Sequence, residues 1–83
     1  MDEKMVEEKI LDMLEDLSGD PVVKEDRDID LVGEGLIDSL DYVTLLVDIR
    51  DEFGLVLSPS ELTREEMKSP NCIINVVESR LRG

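Results

Sequence analysis

GEGLIDSLDYV, residues 33–43, sets two glycines and an apolar pair ahead of Asp38, Ser39 and a dense run of apolar residues. Asp38 is the type of residue that accepts a hydrogen bond from the first turn of a helix. Asp41, three residues on, is placed to reach back to it, so a helix is predicted from Asp38. If Asp38 is the cap, the Ser39 hydroxyl is free for something else. It has no partner base, because the chain contains no histidine, and an unassisted serine is a weak nucleophile. Its position suits a phosphate: the first N–H groups of a helix are unpaired and the dipole there favours an anion. Asp38 would repel that phosphate unless a divalent cation bridged the two during attachment, which a separate Mg²⁺-dependent transferase can arrange.

The helix that Asp38 opens is predicted to end near Phe53-Gly54. Its apolar residues are Leu40, Tyr42, Val43, Leu45, Leu46, Val47, Ile49 and Phe53, too many for one stripe. Leu45, Leu46, Ile49 and Phe53 make a core face. Leu40, Val43 and Val47 fall on a second strip that follows Ser39 down the helix, with Thr44, Asp48, Arg50 and Asp51 around them. A surplus apolar strip with an ionic rim is what a docking surface looks like. The competing reading is a small bundle that wraps this helix on several sides, and periodicity alone leaves both open.

Outward from this helix the chain reads as one all-α domain over residues 1–83. Val6, Ile10, Met13, Leu14 and Leu17 recur on one face of a first helix, Met5 to Leu17. Asp2, Glu3, Glu7 and Glu8 load its early turns, and Ser18-Gly19-Asp20-Pro21 stops it. Residues 18–36 form a long connection without a sustained period, in which Ile29, Leu31, Val32, Leu36 and Ile37 are expected to pin the loop across the helices. Gly33 and Gly35 lend it backbone freedom. After Gly54, Leu55-Val56-Leu57 reads as an extended connector. One short helix is predicted to start at Ser58-Pro59 or at Thr63, where capping patterns repeat. Ser69-Pro70 opens a last helix with Ile73, Ile74, Val77 and Leu81 on its apolar face, Arg80 and Arg82 near its negative end and Gly83 after it. The fold class is a small four-helix bundle of three longer helices and one short one, with a long loop between the first two.

Composition narrows the function. The chain has 83 residues, 41% hydrophobic but only 2% aromatic, so a thin aliphatic core leaves little room for a deep enclosed pocket. Net charge is −13; residues 1–53 hold 18 acids and 5 bases, and residues 54–83 hold 4 of each. That asymmetry argues against nucleic acid or an anionic membrane and for a partner with a basic surface. One cysteine and no histidine exclude an intrachain disulfide, a Cys/His zinc site and a Cys–His or Ser–His catalytic pair. Cys72, beside Ile73 and Ile74, reads as buried packing. No apolar run reaches membrane-spanning length and MDEKMVEEK is no signal peptide, so the chain reads as a cytoplasmic monomer without membrane insertion.

Gly35-Leu36-Ile37-Asp38-Ser39-Leu40 resembles the Asp-Ser-Leu attachment motif of the acyl and peptidyl carrier proteins. The resemblance extends over most of the chain, through Asp30-Leu31-Val32 and on to Asp51-Glu52-Phe53-Gly54. It implies a non-enzymatic, free-standing carrier with 4′-phosphopantetheine on Ser39, added by a phosphopantetheinyl transferase with Asp38 assisting through Mg²⁺. The thiol of that arm would hold an acyl or aminoacyl group as a thioester. An adenylating loading enzyme and a downstream acyltransferase or synthase would be the other partners, docking on Leu40, Val43, Thr44, Val47, Asp48, Arg50 and Asp51. Residues 61–67 with Ser69-Pro70-Asn71-Cys72-Ile73 are similar to the D-alanyl carrier proteins of teichoic acid modification, which usually have an aromatic where Met67 stands. Thr44 and Arg50 occupy positions where fatty-acid carriers tend to have acids.

Two other readings are weighed against this one. Asp26, Asp28 and Asp30 have the spacing of the first EF-hand ligands, but Leu31 and Ile37 stand where a glycine and a glutamate are needed. Weak cation binding by the clustered carboxylates is what that loop leaves open. A small acidic adaptor would use the same helix face without a cofactor and would be indifferent to loss of the Ser39 hydroxyl.

Overall fold

The computed structural model describes residues 3–82; Asp2 and Gly83, assigned above to the ends of the first and last helices, lie outside them. Four helices follow in order: α1 Glu3–Ser18, α2 Val22–Glu25, α3 Ser39–Phe53 and α4 Pro70–Arg82. Three are long, one is short, and no strand occurs among the described residues. Val6, Ile10, Leu11 and Leu14 of α1, Leu45, Leu46 and Ile49 of α3, and Ile73, Ile74 and Val77 of α4 meet in a single aliphatic core. Leu11 takes a core position that the five-residue stripe omitted, while Met13 and Leu17 pack at its edge. Phe53 is likewise only half-buried, as is Cys72; Leu81 is exposed.

The short helix is not where capping patterns placed it. It lies inside the long connection, as one turn whose Val23 is fully buried against α1. Its start is helped by Asp20, whose carboxylate accepts the Val22 N–H at 3.0 Å. Between α3 and α4 each pattern coincides with only a 3₁₀ turn, Pro59–Glu61 and Glu65–Met67, and Ser58 makes no side-chain cap hydrogen bond at the first. At the second, Thr63 and Glu66 bond each other's N–H groups reciprocally at 3.1 and 3.2 Å. Neither segment carries enough apolar surface to extend a helix beyond its first turn.

Leu31 holds the connection in place. Its side chain is fully buried, its N–H donates to the Lys68 carbonyl at 2.9 Å, and its own carbonyl accepts from Leu36 and Ile37 at 2.8 and 3.2 Å. Beside it, the Asn71 N–H donates to the Arg27 carbonyl and the Asn71 amide donates to Asp28, both at 2.9 Å. Ile37 is buried too, Ile29 and Leu36 are half-buried, and Val32 corrects the expectation by pointing outward. Asp26 and Asp30 each accept a backbone N–H of their own turn, from Asp28 at 3.1 Å and Gly33 at 2.9 Å. Gly33 is needed for that approach, since a Cβ there would run into the Asp30 carboxylate.

Basic residues tie this acidic chain together at its surface. Lys9 pairs with Glu52, Lys24 with Asp12 and Glu15, Arg27 with Glu7, and Arg82 with Glu3. Such exposed pairs stabilise by about 0–1 kcal/mol each, so they set orientation more than stability.

Leu31→Ala is expected to destabilise the domain by about 2–5 kcal/mol, since it empties a core site that nothing else can fill. Val32→Ala, one residue on and exposed, is expected to stay within about 0.5 kcal/mol. Urea unfolding of the two variants checks the contrast.

Candidate functional site

Local chemistry fixes the start of α3. Asp38 is extended, at φ −113° and ψ −172°, and its carboxylate accepts the Asp41 N–H at 2.9 Å. Asp41 returns the bond by accepting the Asp38 N–H at 3.2 Å. This is the capping box expected from the sequence, and it accounts for the acids flanking Ser39. The far end is closed by Gly54 in the left-handed region, φ 67°, with its N–H on the Arg50 carbonyl at 2.8 Å.

Ser39 is the first residue of the helix and is exposed. No hydrogen bond from another described residue engages its hydroxyl. The serine therefore presents a free Oγ beside the first-turn N–H groups, where a phosphate is favoured by the helix dipole. Only one Asp38 oxygen, Oδ1, is used in the cap.

Down the helix from Ser39, the surplus apolar strip is outward-facing. Leu40 is 76% exposed, Val43 51% and Val47 39%, so the bundle does not wrap this side of the helix. Thr44 is exposed and its hydroxyl donates back to the Leu40 carbonyl at 3.0 Å. Arg50 and Asp51 form an exposed pair at 3.6 Å, and Asp48 is half-buried. Seven residues named as a docking face thus share one exposed region of α3, with Asp48 set deepest.

A groove of about 460 Å³ opens one helical turn from Ser39. Tyr42, Asp30, Val32, Leu62 and Met67 contribute to its walls, and Arg64 and Lys68 to its rim. Aliphatic Val32, Leu62 and Met67 thus stand beside the polar groups of Asp30, Tyr42 and Thr63. Sequence reasoning had not singled out Tyr42 or this groove, because its walls come from three separate stretches of chain. Burial first, and the Glu66 carboxylate second, raise the Tyr42 phenol above the ordinary value of 10.0.

The chain matches the family described as "Phosphopantetheine attachment site" over residues 8–71. It belongs to that family of phosphopantetheine-binding carriers. Among its relatives, the D-alanyl carrier protein of Abiotrophia defectiva is 43% identical over 76 residues, covering 92% of this chain and 96% of its own. The D-alanyl carrier protein of Bacillus cereus (strain B4264) is 37% identical over 71 residues, covering 86% and 90%. That of Bacillus anthracis (strain CDC 684 / NRRL 3495) matches to the same extent. Membership makes the chain a carrier with a covalently attached 4′-phosphopantetheine arm, served by partner enzymes such as transferases and ligases. The residues present fit such an arm: an exposed hydroxyl at a helix start could take its phosphate, and a groove of mixed polar and aliphatic residues opens nearby. Among the described residues no helix is long and apolar enough to cross a membrane.

The carrier has one tyrosine and no tryptophan, so alkaline titration followed by phenolate absorbance reports Tyr42 alone. Its midpoint is expected above 10.0. Glu66→Gln, which keeps an oxygen for the Thr63 N–H, is expected to lower the midpoint without restoring the ordinary value, because burial is the larger cause. An unmoved midpoint would show that Glu66 does not face the ring.

Proposed function

We propose that the arm is attached at Ser39 and that the carrier shuttles an aminoacyl group, D-alanyl by the names of its relatives, as a thioester between enzymes. The observation that carries this reading is the exposed, unengaged Ser39 hydroxyl at a helix start already capped by its neighbour. When bound, the arm supplies the thiol on which the cargo rides. The chain's own residues present and orient. Asp38 fixes the helix start, so that Ser39 Oγ projects beside unpaired N–H donors, and its second oxygen meets the transferase-bound Mg²⁺ during attachment. Leu40, Val43 and Val47 give partners contact area, and Thr44, Asp48, Arg50 and Asp51 set the orientation.

On this reading the bond-making belongs to the partners: a phosphopantetheinyl transferase, an adenylating enzyme that loads the amino acid, and an acyltransferase that removes it. Thr44 and Arg50, interrupting the acids of α3, support a dedicated aminoacyl pathway over fatty-acid synthesis. Cytoplasmic work is part of the proposal, since a carrier thiol and the unpaired Cys72 both suit a reducing compartment.

A broad-specificity transferase with coenzyme A and Mg²⁺ is expected to modify the protein once, at Ser39, as read by intact mass and peptide mapping. Ser39→Ala is expected to abolish the modification with helical content unchanged, whereas Asp38→Ala loses the cap and about 1 kcal/mol of stability. Modification at another residue would overturn the assignment. Intact mass of the protein taken from its native host identifies the cargo.

Val47→Asp is expected to lower loading by the adenylating enzyme about tenfold or more, because docking would desolvate an unpaired carboxylate. Circular dichroism should be unaltered, given the exposure of Val47.

A further inference from the structure

A smaller groove of about 170 Å³ lies on the outer side of α3, lined by Val43, Leu46, Val47 and Arg50 from the helix and by Val56 and Leu57 from the connector. Five of these six residues are aliphatic. The groove exists because Gly54 turns the chain back in a left-handed conformation and the connector then runs extended. Alternation along that extended stretch directs Leu55 and Leu57 inward and leaves Val56 73% exposed. Val43 and Arg50 lie four and eleven residues after Ser39 on the same face of the helix. The groove therefore runs from about 6 to about 16 Å below the serine's level, along the same helix face.

Arg50 gives this groove its chemical character. Lys9, Lys24, Arg27 and Arg82 tie separate elements together by pairing with acids distant in the chain. Arg50 instead pairs with its chain neighbour Asp51, and both side chains are more than half exposed. Its guanidinium is thus presented outward, on a helix whose other charged residues are Asp41, Asp48, Asp51 and Glu52. A partner that matched the acidic chain with basic residues alone would meet repulsion here.

We infer that this groove is the recognition pocket for the cargo-loading enzyme. It receives one aliphatic side chain of leucine or methionine size between Val47 and Val56, carried next to a carboxylate that pairs with Arg50. The assignment rests on the carrier function proposed above. It falls to the loading enzyme rather than the transferase because an enzyme committed to one cargo must select this carrier from others, and a positive charge in an acidic face is a discriminating mark. Val56 becomes a specificity residue outside the helix that bears the serine.

The test uses full-length protein converted to its holo form, D-alanine, ATP and a D-alanine-adenylating ligase, with loading followed by intact mass. Val56→Asp and Arg50→Glu are each expected to lower kcat/KM for the carrier about tenfold or more, through KM rather than kcat. Arg50→Lys, which keeps the charge but not the fork, is expected to lose less than Arg50→Glu. Circular dichroism is expected to match wild type for all three, and transferase modification of Ser39 to match it for Val56→Asp. Wild-type loading by Val56→Asp would overturn the groove and leave the carrier function standing, since Ser39 is still modified. An equal fall in transferase modification would overturn the assignment to one enzyme. Failure of wild-type holo protein to load would remove the proposed occupant, and failure of Ser39 to be modified would instead overturn the attachment site itself.

Discussion

Leu31 is the joint on which the functional end of the molecule depends. A long connection in so small a domain has few ways to hold a fixed path, because each ordered residue loses about 1–2 kcal/mol of conformational freedom. Leu31 offsets that loss in one place, with a fully buried side chain and backbone bonds on both sides. Its N–H fixes the connection to Lys68, just before α4, while its carbonyl gathers Leu36 and Ile37, just before Asp38. The start of α3 is thereby positioned relative to the start of α4, and with it the groove whose walls are drawn from the loop, α3 and the Glu65–Met67 turn.

From that fixed start, α3 serves two environments at once. Leu45, Leu46 and Ile49 are buried in the core, while Leu40, Val43 and Val47 face outward. Exposing three large aliphatic residues on one helix forgoes burial that a domain of this size could use. The proposed function accounts for it: an attachment residue at a helix start is useful only if enzymes can grip the helix below it. The capping box contributes in the same way. By assigning Asp38 and Asp41 to the backbone, it leaves the Ser39 hydroxyl unencumbered.

Charge is distributed with the same division. The acidic excess lies almost wholly on α1, the connection and α3, and the bases that pair with it across elements act as ties between helices. Arg50 is set apart from that role by its exposed pairing with an adjacent residue. An acidic surface of this kind favours a partner of opposite sign, and such complementarity speeds encounters. A shuttle that visits several enzymes in turn needs that speed more than it needs tight binding.

What the sequence determined by itself is whatever depends on neighbours within about four residues. Asp38 with Asp41, Gly54, and Ser69-Pro70 each set a helix boundary through local hydrogen bonds and backbone preference, and those boundaries were legible. The surplus of apolar residues on α3 was legible as well, together with the attachment motif around Ser39. Tertiary structure decided what depends on distant partners. The four-residue α2 is too short to display a period, and it forms because Val23 finds a place against α1. Val32 points out and Leu31 in because Lys68, far along the chain, offers a carbonyl at that point. Leu11 lies in the core and Met13 at its edge, because the helices packed against α1 cover the face that bears Leu11. Val56 lines a groove only because Gly54 folds the connector back beside Val47. A helix face can be counted from one segment, but a groove has two walls, and the second belongs to residues whose proximity no local pattern encodes.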